Sequence, residues 1–227
     1  MRNAVTLLFV AGLAFLLLAI TASLDFGQPP MRIGQAIQAQ AAESVGATNF
    51  VTAVVLGYRG LDTLGELSIL FAAATAGGLV LGGRAVRSRS EGGFVLRAGA
   101  DLLFPLLLVA GLYIVVHGHL SPGGGFQGGV ILASAFFVPL LARPQAAGSH
   151  RSLMWIEGLA GTAFIIIGLL ALFRGEDFLA PLFDKGVLGE LVSSGSLPLL
   201  YMAVGLKVGA ELAGLMDRLA QDDEVQS

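Results

Sequence analysis

The chain has 227 residues, of which 55% are hydrophobic and 13% charged, with a formal net charge of −3 at pH 7 and no cysteine. Its apolar residues come in long runs rather than in amphipathic alternation, which marks an integral membrane protein rather than a soluble domain. The missing cysteines exclude disulfides, thiolate metal sites and iron–sulfur ligation, and no basic run points to nucleic acid.

Taken in order, the runs predict an all-α integral membrane protein with six transmembrane helices and both termini cytoplasmic. Residues 5–22 form the first span. That run exceeds the ~7–15 apolar residues of a signal peptide and has no clear small-residue cleavage site, so it is expected to stay as an anchor. Residues 23–48 read as a polar loop with Pro29 and Pro30, in which 33–42 suit an interfacial helix. Residues 49–60 are apolar but too short to cross, and are expected to lie at the surface or to enter part-way. The remaining spans are 61–83, 94–116, 128–142, 153–173 and 196–216. Pro105, inside the third, is expected to kink it. The acidic tail 217–227 is expected to fray.

Six spans place both termini on one side, and the arginines choose which. Arg2, Arg84, Arg87, Arg89, Arg97, Arg143, Arg151 and Arg218 fall on one face; Arg32, Arg59, Arg174 and Lys185 fall on the other. Cytoplasmic loops carry the excess of basic residues, so the first face is the expected cytoplasmic one.

Between the third and fourth spans lies His117-Gly118-His119-Leu120-Ser121-Pro122-Gly123-Gly124-Gly125-Phe126-Gln127-Gly128-Gly129. The helix that follows, from Phe126 to Ala142, rises only ~25 Å, less than the ~30 Å hydrocarbon core. Either it sits among tilted neighbours or the glycine segment dips below the surface, where irregular backbone must be buried in protein or line a wet cavity. On the predicted topology this turn faces outward. Its literal G-x-G-x-x-G (Gly123, Gly125, Gly128) lacks the preceding strand that would give the pattern a dinucleotide meaning. His117 and His119 are two apart, do not share a helix face and have no second histidine pair. They read as interfacial groups titrating with the outer medium, with no metal site and no bound cofactor expected in the chain.

Charge within a span is costly, by ~2.5–3.5 kcal/mol on insertion scales, so each case calls for a reason. Lys207 falls near the middle of the sixth span, with Glu211 four residues on along the same face. A neutralised packing pair and a proton relay are both consistent with that spacing. Asp62 and Glu66 share a face at the start of the second span, with Arg59 within reach of Asp62. They form either a cluster favoured by the helix dipole or carboxylates at the mouth of a cation or proton path. Asp101 stands four residues from Arg97, the spacing of a structural ion pair. Glu157 has no helical-spacing partner and is expected either to point at another helix or, by preference, to stay in the headgroup zone. No nucleophile–base arrangement is visible, so no enzymatic centre is expected.

The segment from Gly118 through Ser121, Pro122, Gly123, Gly124, Gly125, Phe126 and Gln127 to Gly129, together with Leu96-Arg97 and Leu103-Phe104-Pro105-Leu106-Leu107, resembles the MrpB/MnhB family. These are small membrane subunits of multisubunit Na⁺/H⁺ antiporters. The resemblance covers residues 94–215. The earlier Asn49-Phe50-Val51-Thr52-Ala53-Val54-Val55-Leu56 and Tyr58-Arg59-Gly60-Leu61-Asp62-Thr63-Leu64-Gly65-Glu66 are similar to the last two spans of the large antiporter subunit MrpA. In membrane-bound nickel–iron hydrogenases those spans form a separate subunit, MbhE, beside MbhF, the MrpB relative. The chain thus resembles an MbhE–MbhF fusion: a two-helix unit over 1–83, a basic linker over 84–93, a four-helix unit over 94–216 and the tail.

What the resemblance implies is a non-catalytic subunit of an Mrp-type antiporter module in the cell membrane. The parent complex would be an energy-converting hydrogenase, with a stand-alone antiporter or a purely structural, interface-sealing role as alternatives. By the resemblance Glu66, the acid after Thr-Leu-Gly, would serve the ion or proton path; Asp62, Lys207 and Glu211 join it on the spacing of the residues, and the glycine turn would pack against a partner. Expected partners are MrpC-, MrpD- and MrpG-like subunits, hydrogenase subunits and lipid.

Overall fold

The computed structural model of the chain describes residues 2–23, 32–81, 91–143 and 150–222. Among these, every regular element is helical: α1 (Arg2–Ser23), α2 (Arg32–Val45), the single turn α3 (Phe50–Thr52) running into a π-helical segment (Ala53–Tyr58), α4 (Gly60–Leu81), α5 (Phe94–Val116), α6 (Gly125–Ala142), α7 (His150–Phe173) and α8 (Leu197–Asp222). Six stretches are long and apolar enough to cross a membrane: Ala4–Ser23, Gly60–Val80, Phe94–Val116, Gly125–Ala142, Arg151–Phe173 and Leu197–Leu219. These are the six predicted spans. Most of the predicted basic linker lies outside the described residues. The tail departs from expectation, because α8 carries 217–222 on as helix.

Two compact units appear, Met1–Ile37 and Gln38–Ser227. The first holds α1, whose large apolar side chains are exposed all round within this chain. A helix hydrophobic on every face belongs in lipid or against other membrane helices.

The second unit is built around α8, which packs against α4, α5, α6 and α7. The pattern of small residues explains how the helices approach. Without a hydrophobic drive between helices in lipid, close packing of small side chains holds them together. A Cβ added at Gly125 would lie 2.6 Å from Val204 Cβ, and one at Gly129 would lie 2.8 Å from Val208 Cβ. So α6 and α8 run parallel with no room for a larger residue. On the other flank a Cβ at Gly111 would meet Leu132 at 2.9 Å, seating α5 antiparallel to α6. Phe71 faces Lys207 and Gly77 faces Leu215, so α4 runs parallel to α8. Successive spans from α4 to α8 therefore alternate in direction, as serial membrane crossings must. Pro105 does not end α5, nor Pro139 α6.

The stretch too brief to cross has a definite form. Asn49 caps α3, its side-chain oxygen accepting from Val51 N at 3.1 Å and Thr52 N at 3.5 Å. The following π turn leaves the Val55 carbonyl to the Thr63 hydroxyl, 3.1 Å away. A break at Arg59 then starts α4. Single π turns gather at functional positions, and a helix interrupted beside a span is a feature of ion-handling membrane folds.

A candidate functional site: a buried ammonium–carboxylate cluster

Lys207 is the eleventh of the 23 residues in its span, and its side chain is only 10% exposed. Its ammonium donates to Glu211 Oε2 at 3.0 Å, one helical turn on, and to Glu157 Oε1 at 3.4 Å across on α7. The ring of Phe71 on α4 lies 5.1 Å from the same nitrogen, within cation–π range. Gly161 clears space for the stem, since a Cβ there would come 3.3 Å from Lys207 Cδ. Glu211 is 2% exposed and Glu157 22%. The predicted Lys207–Glu211 pair is thus formed. Glu157 is in a different place from the one preferred on sequence grounds: it turns inward and makes the pair a triad.

Glu211 accepts only through Oε2; its buried Oε1 has no partner among the described atoms. Beside it lies a cavity of about 310 Å³, walled by Phe71, Thr75, Glu157, Glu211 and Arg218 among others. An ionised, desolvated oxygen without a donor is expensive.

The other charged residues sort clearly. Arg59 Nε donates to Asp62 Oδ2 at 2.6 Å, the predicted neighbour pair, and both side chains are exposed. Glu66 is exposed on α4 and stands apart from the triad. Asp101 does not pair with Arg97. It takes a two-pronged bond from Arg143, at 2.7 and 2.8 Å, while Arg97 reaches Glu91 at 3.0 Å. Planar guanidinium–carboxylate matching explains the preference, because two parallel bonds across helices outdo one along a helix. This pair ties the start of α5 to the end of α6.

The glycine turn is engaged by the chain itself. Asn49 Nδ2 donates to the carbonyls of Gly118 and Ser121, both at 2.8 Å, and Asn49 N donates to the His119 carbonyl at 3.1 Å. Tyr201 Oη donates to Thr52 Oγ1 at 2.6 Å, and Thr52 in turn donates to the Gly118 carbonyl at 2.5 Å. Gly123 and Gly124 hold φ of 153° and 135°, where a side chain is strained, and Gly124 would also drive a Cβ to 2.6 Å from Tyr201. Pro122 and Gln127 remain exposed, while Gly125, Gly128 and Gly129 are buried. Asn49, Thr52 and Tyr201 were not assigned to the turn from the sequence. The one available signal was Asn49, a cap-type residue just before an apolar run.

His119 is not the exposed, titrating group expected. It is 0% exposed, and its Nε2–H donates to the Leu191 carbonyl at 3.1 Å. A carbonyl accepts only, so Nδ1 is the bare nitrogen of a neutral ring, and it has no partner. Burial pushes the imidazole below the ordinary histidine value; the Glu190 and Leu191 backbone raises it in part, and His117 lowers it. His117 itself donates to the Tyr113 carbonyl at 3.0 Å and stacks on the Tyr113 ring at 4.1 Å. Among the described residues, no group of three or more metal-type side chains gathers.

Helices of membrane-spanning length with small-residue seams and a charged triad between them define a multi-pass helical membrane protein. Residues 95–214 match the family model of a domain related to the MnhB subunit of Na⁺/H⁺ antiporter. The chain belongs to that family. It is 30% identical over 196 residues to the Methanocaldococcus jannaschii protein MJ1307, covering 74% of each chain. It is 31% identical over 136 residues to the putative antiporter subunit mnhB2 of Staphylococcus aureus, covering 54% of this chain and 94% of the relative. Among solved structures, it is similar to a chain of the membrane-bound sulfane sulfur reductase, an archaeal respiratory membrane complex (39% identity, TM-score 0.78, covering 96% of this chain and 97% of that one). It also shares its fold with a quarter of a longer chain of the Mrp complex from Dietzia sp. DQ12-45-1b (24% identity, TM-score 0.73, covering 100% of this chain and 26% of that one).

Proposed function

We propose that this chain is a non-catalytic subunit of the Mrp-type Na⁺/H⁺ antiporter module of a redox-driven complex in the cell membrane, where it helps couple proton and sodium movement. The observation that carries this reading is the triad: an ammonium held at mid-span by two carboxylates, one of them with a buried oxygen that has no partner.

The redox-driven parent is supported by coverage. The staphylococcal relative accounts for half of this chain, while the likeness to the sulfane sulfur reductase chain spans nearly the whole of both. The sequence resemblance specifies a membrane-bound nickel–iron hydrogenase as that parent, with MrpC-, MrpD- and MrpG-like subunits as neighbours. Both termini are assigned to the cytoplasm by the arginine distribution. Glu66 and Asp62 serve as the carboxylates of a second charge position, on the α4 face that this chain leaves uncovered. The glycine turn braces the outer side, with Pro122 and Gln127 available to a neighbour.

The test is Glu66→Gln in the intact complex, assayed in inverted membrane vesicles for sodium-dependent proton movement. The reading expects assembly at wild-type level and transport reduced at least tenfold. Normal transport by a fully assembled variant would refute the role and favour a subunit that only seals an interface.

A further inference from the structure

We propose that the cleft floored by α8, with α5 and α6 on one side and α7 on the other, is a lipid site that holds the tail of one zwitterionic phospholipid. Packing explains why the cleft exists. Helices α6 and α7 follow one another in the chain, yet each packs on α8 and they scarcely touch. On the floor between them α8 presents Gly205, Gly209, Ala210 and Ala213, none with a side chain long enough to fill the gap. The space left is about 690 Å³, within the ~300–1,000 Å³ of ligand clefts. Its length fits one leaflet. The cleft runs from Asp217 to Gly205 along α8 and from Asp101 to Leu112 along α5, or ~16–18 Å at ~1.5 Å per residue. Half of the ~30 Å hydrocarbon core is nearly the same depth.

The lining has the polarity of an amphiphile. Its polar members all lie at one end: Ser152 is second in its span, Asp217 is two residues from the close of its own, and the Asp101 carboxylate is held by Arg143, just past α6. From there inward the walls are apolar, and Phe136, Ile156 and Leu206 remain exposed, so a tail can enter sideways from the bilayer. The charges at the mouth select the headgroup. Asp101 is paired with Arg143 and Glu91 with Arg97, while Arg151, beside Ser152, and Asp217 add one charge of each sign. Arg218 lies against Gly78 of α4, a helix that contributes nothing to the cleft. Anionic lipids are recognised by clusters of excess Lys and Arg, and here every arginine is matched by a carboxylate. A mouth that sums to zero with both signs at hand complements a phosphate–ammonium headgroup.

The experiment places the intact complex in nanodiscs of equal parts phosphatidylethanolamine and phosphatidylglycerol, with a photoreactive diazirine in the tail of one lipid or the other. Adducts are mapped by peptide mass spectrometry. With the phosphatidylethanolamine probe, Leu108, Phe136 and Leu206 in the cleft are expected to carry at least five times the adduct found on the outward Leu102 and Val109. The phosphatidylglycerol probe should show no such enrichment. Leu108→Trp, which fills the cleft, should lower the adduct at Phe136 and Leu206 at least fivefold, while Val109→Trp, one residue on but outside the lining, should leave it unchanged. Equal labelling of cleft and outward residues means bulk lipid only and overturns the site; so does an unlabelled cleft, the result if a neighbouring subunit's helix fills it. Equal enrichment from the phosphatidylglycerol probe overturns the zwitterionic assignment. The wild-type map stands as a test even if Leu108→Trp fails to assemble.

Discussion

An ammonium at mid-membrane survives only because its neighbours replace water. Lys207 has two carboxylates within 3.4 Å and an aromatic face at 5.1 Å, which offsets a cost of ~2.5–3.5 kcal/mol for a bare charge at that depth. His119 solves the opposite problem by staying neutral. Its folded-state affinity for protons is depressed by burial, whereas in the unfolded chain it takes up a proton near pH 6.5. Below that pH the unfolded state therefore binds the extra proton first, and the stability of the loop falls as pH falls toward the lower folded value. Thermal stability of the purified complex is expected to drop as pH falls below about 6.5 in the wild type. The drop should be smaller in His119→Gln, whose amide can donate to the Leu191 carbonyl without titrating. An identical pH slope in both proteins would show that His119 is not the group responsible.

At the level of elements, α8 is the axis and glycine is the means of approach. The α6–α8 seam leaves 2.6–2.8 Å for a Cβ at Gly125 and Gly129, so Gly125→Leu forces the helices apart. We expect it to cost 1–3 kcal/mol or more through overpacking, read as a fall in the amount of assembled complex. Ser134→Ala is the control, because its hydroxyl only bonds back to the Val130 carbonyl within α6. The spans were legible from hydropathy, and the Lys207–Glu211 pair from the period of a helix. Glu157 was not, since a lone acid in an apolar run names no partner until α7 is laid beside α8. Arg143 was not, because it lies 42 residues from Asp101 and a nearer arginine at helical spacing offered itself. The hold of Asn49 and Thr52 on the glycine turn was hidden for the same reason. Their bonds close loops of about 70 residues, a distance over which local pattern says nothing.

At the scale of the whole molecule, much of the surface is apolar and uncovered. On α4 that surface carries the exposed carboxylates Asp62 and Glu66, which suits a subunit enclosed by other membrane proteins rather than an isolated one. The central claim is that the α7–α8 triad moves charge within such an assembly. Its most direct test is Glu211→Gln in the complex reconstituted into proteoliposomes, with subunit content quantified beside the sodium-driven pH change. The amide keeps size and a contact to Lys207 but gives up the ionisable oxygen. We predict wild-type subunit content with the pH change lowered at least tenfold; an unaltered pH change at unaltered content would contradict the account.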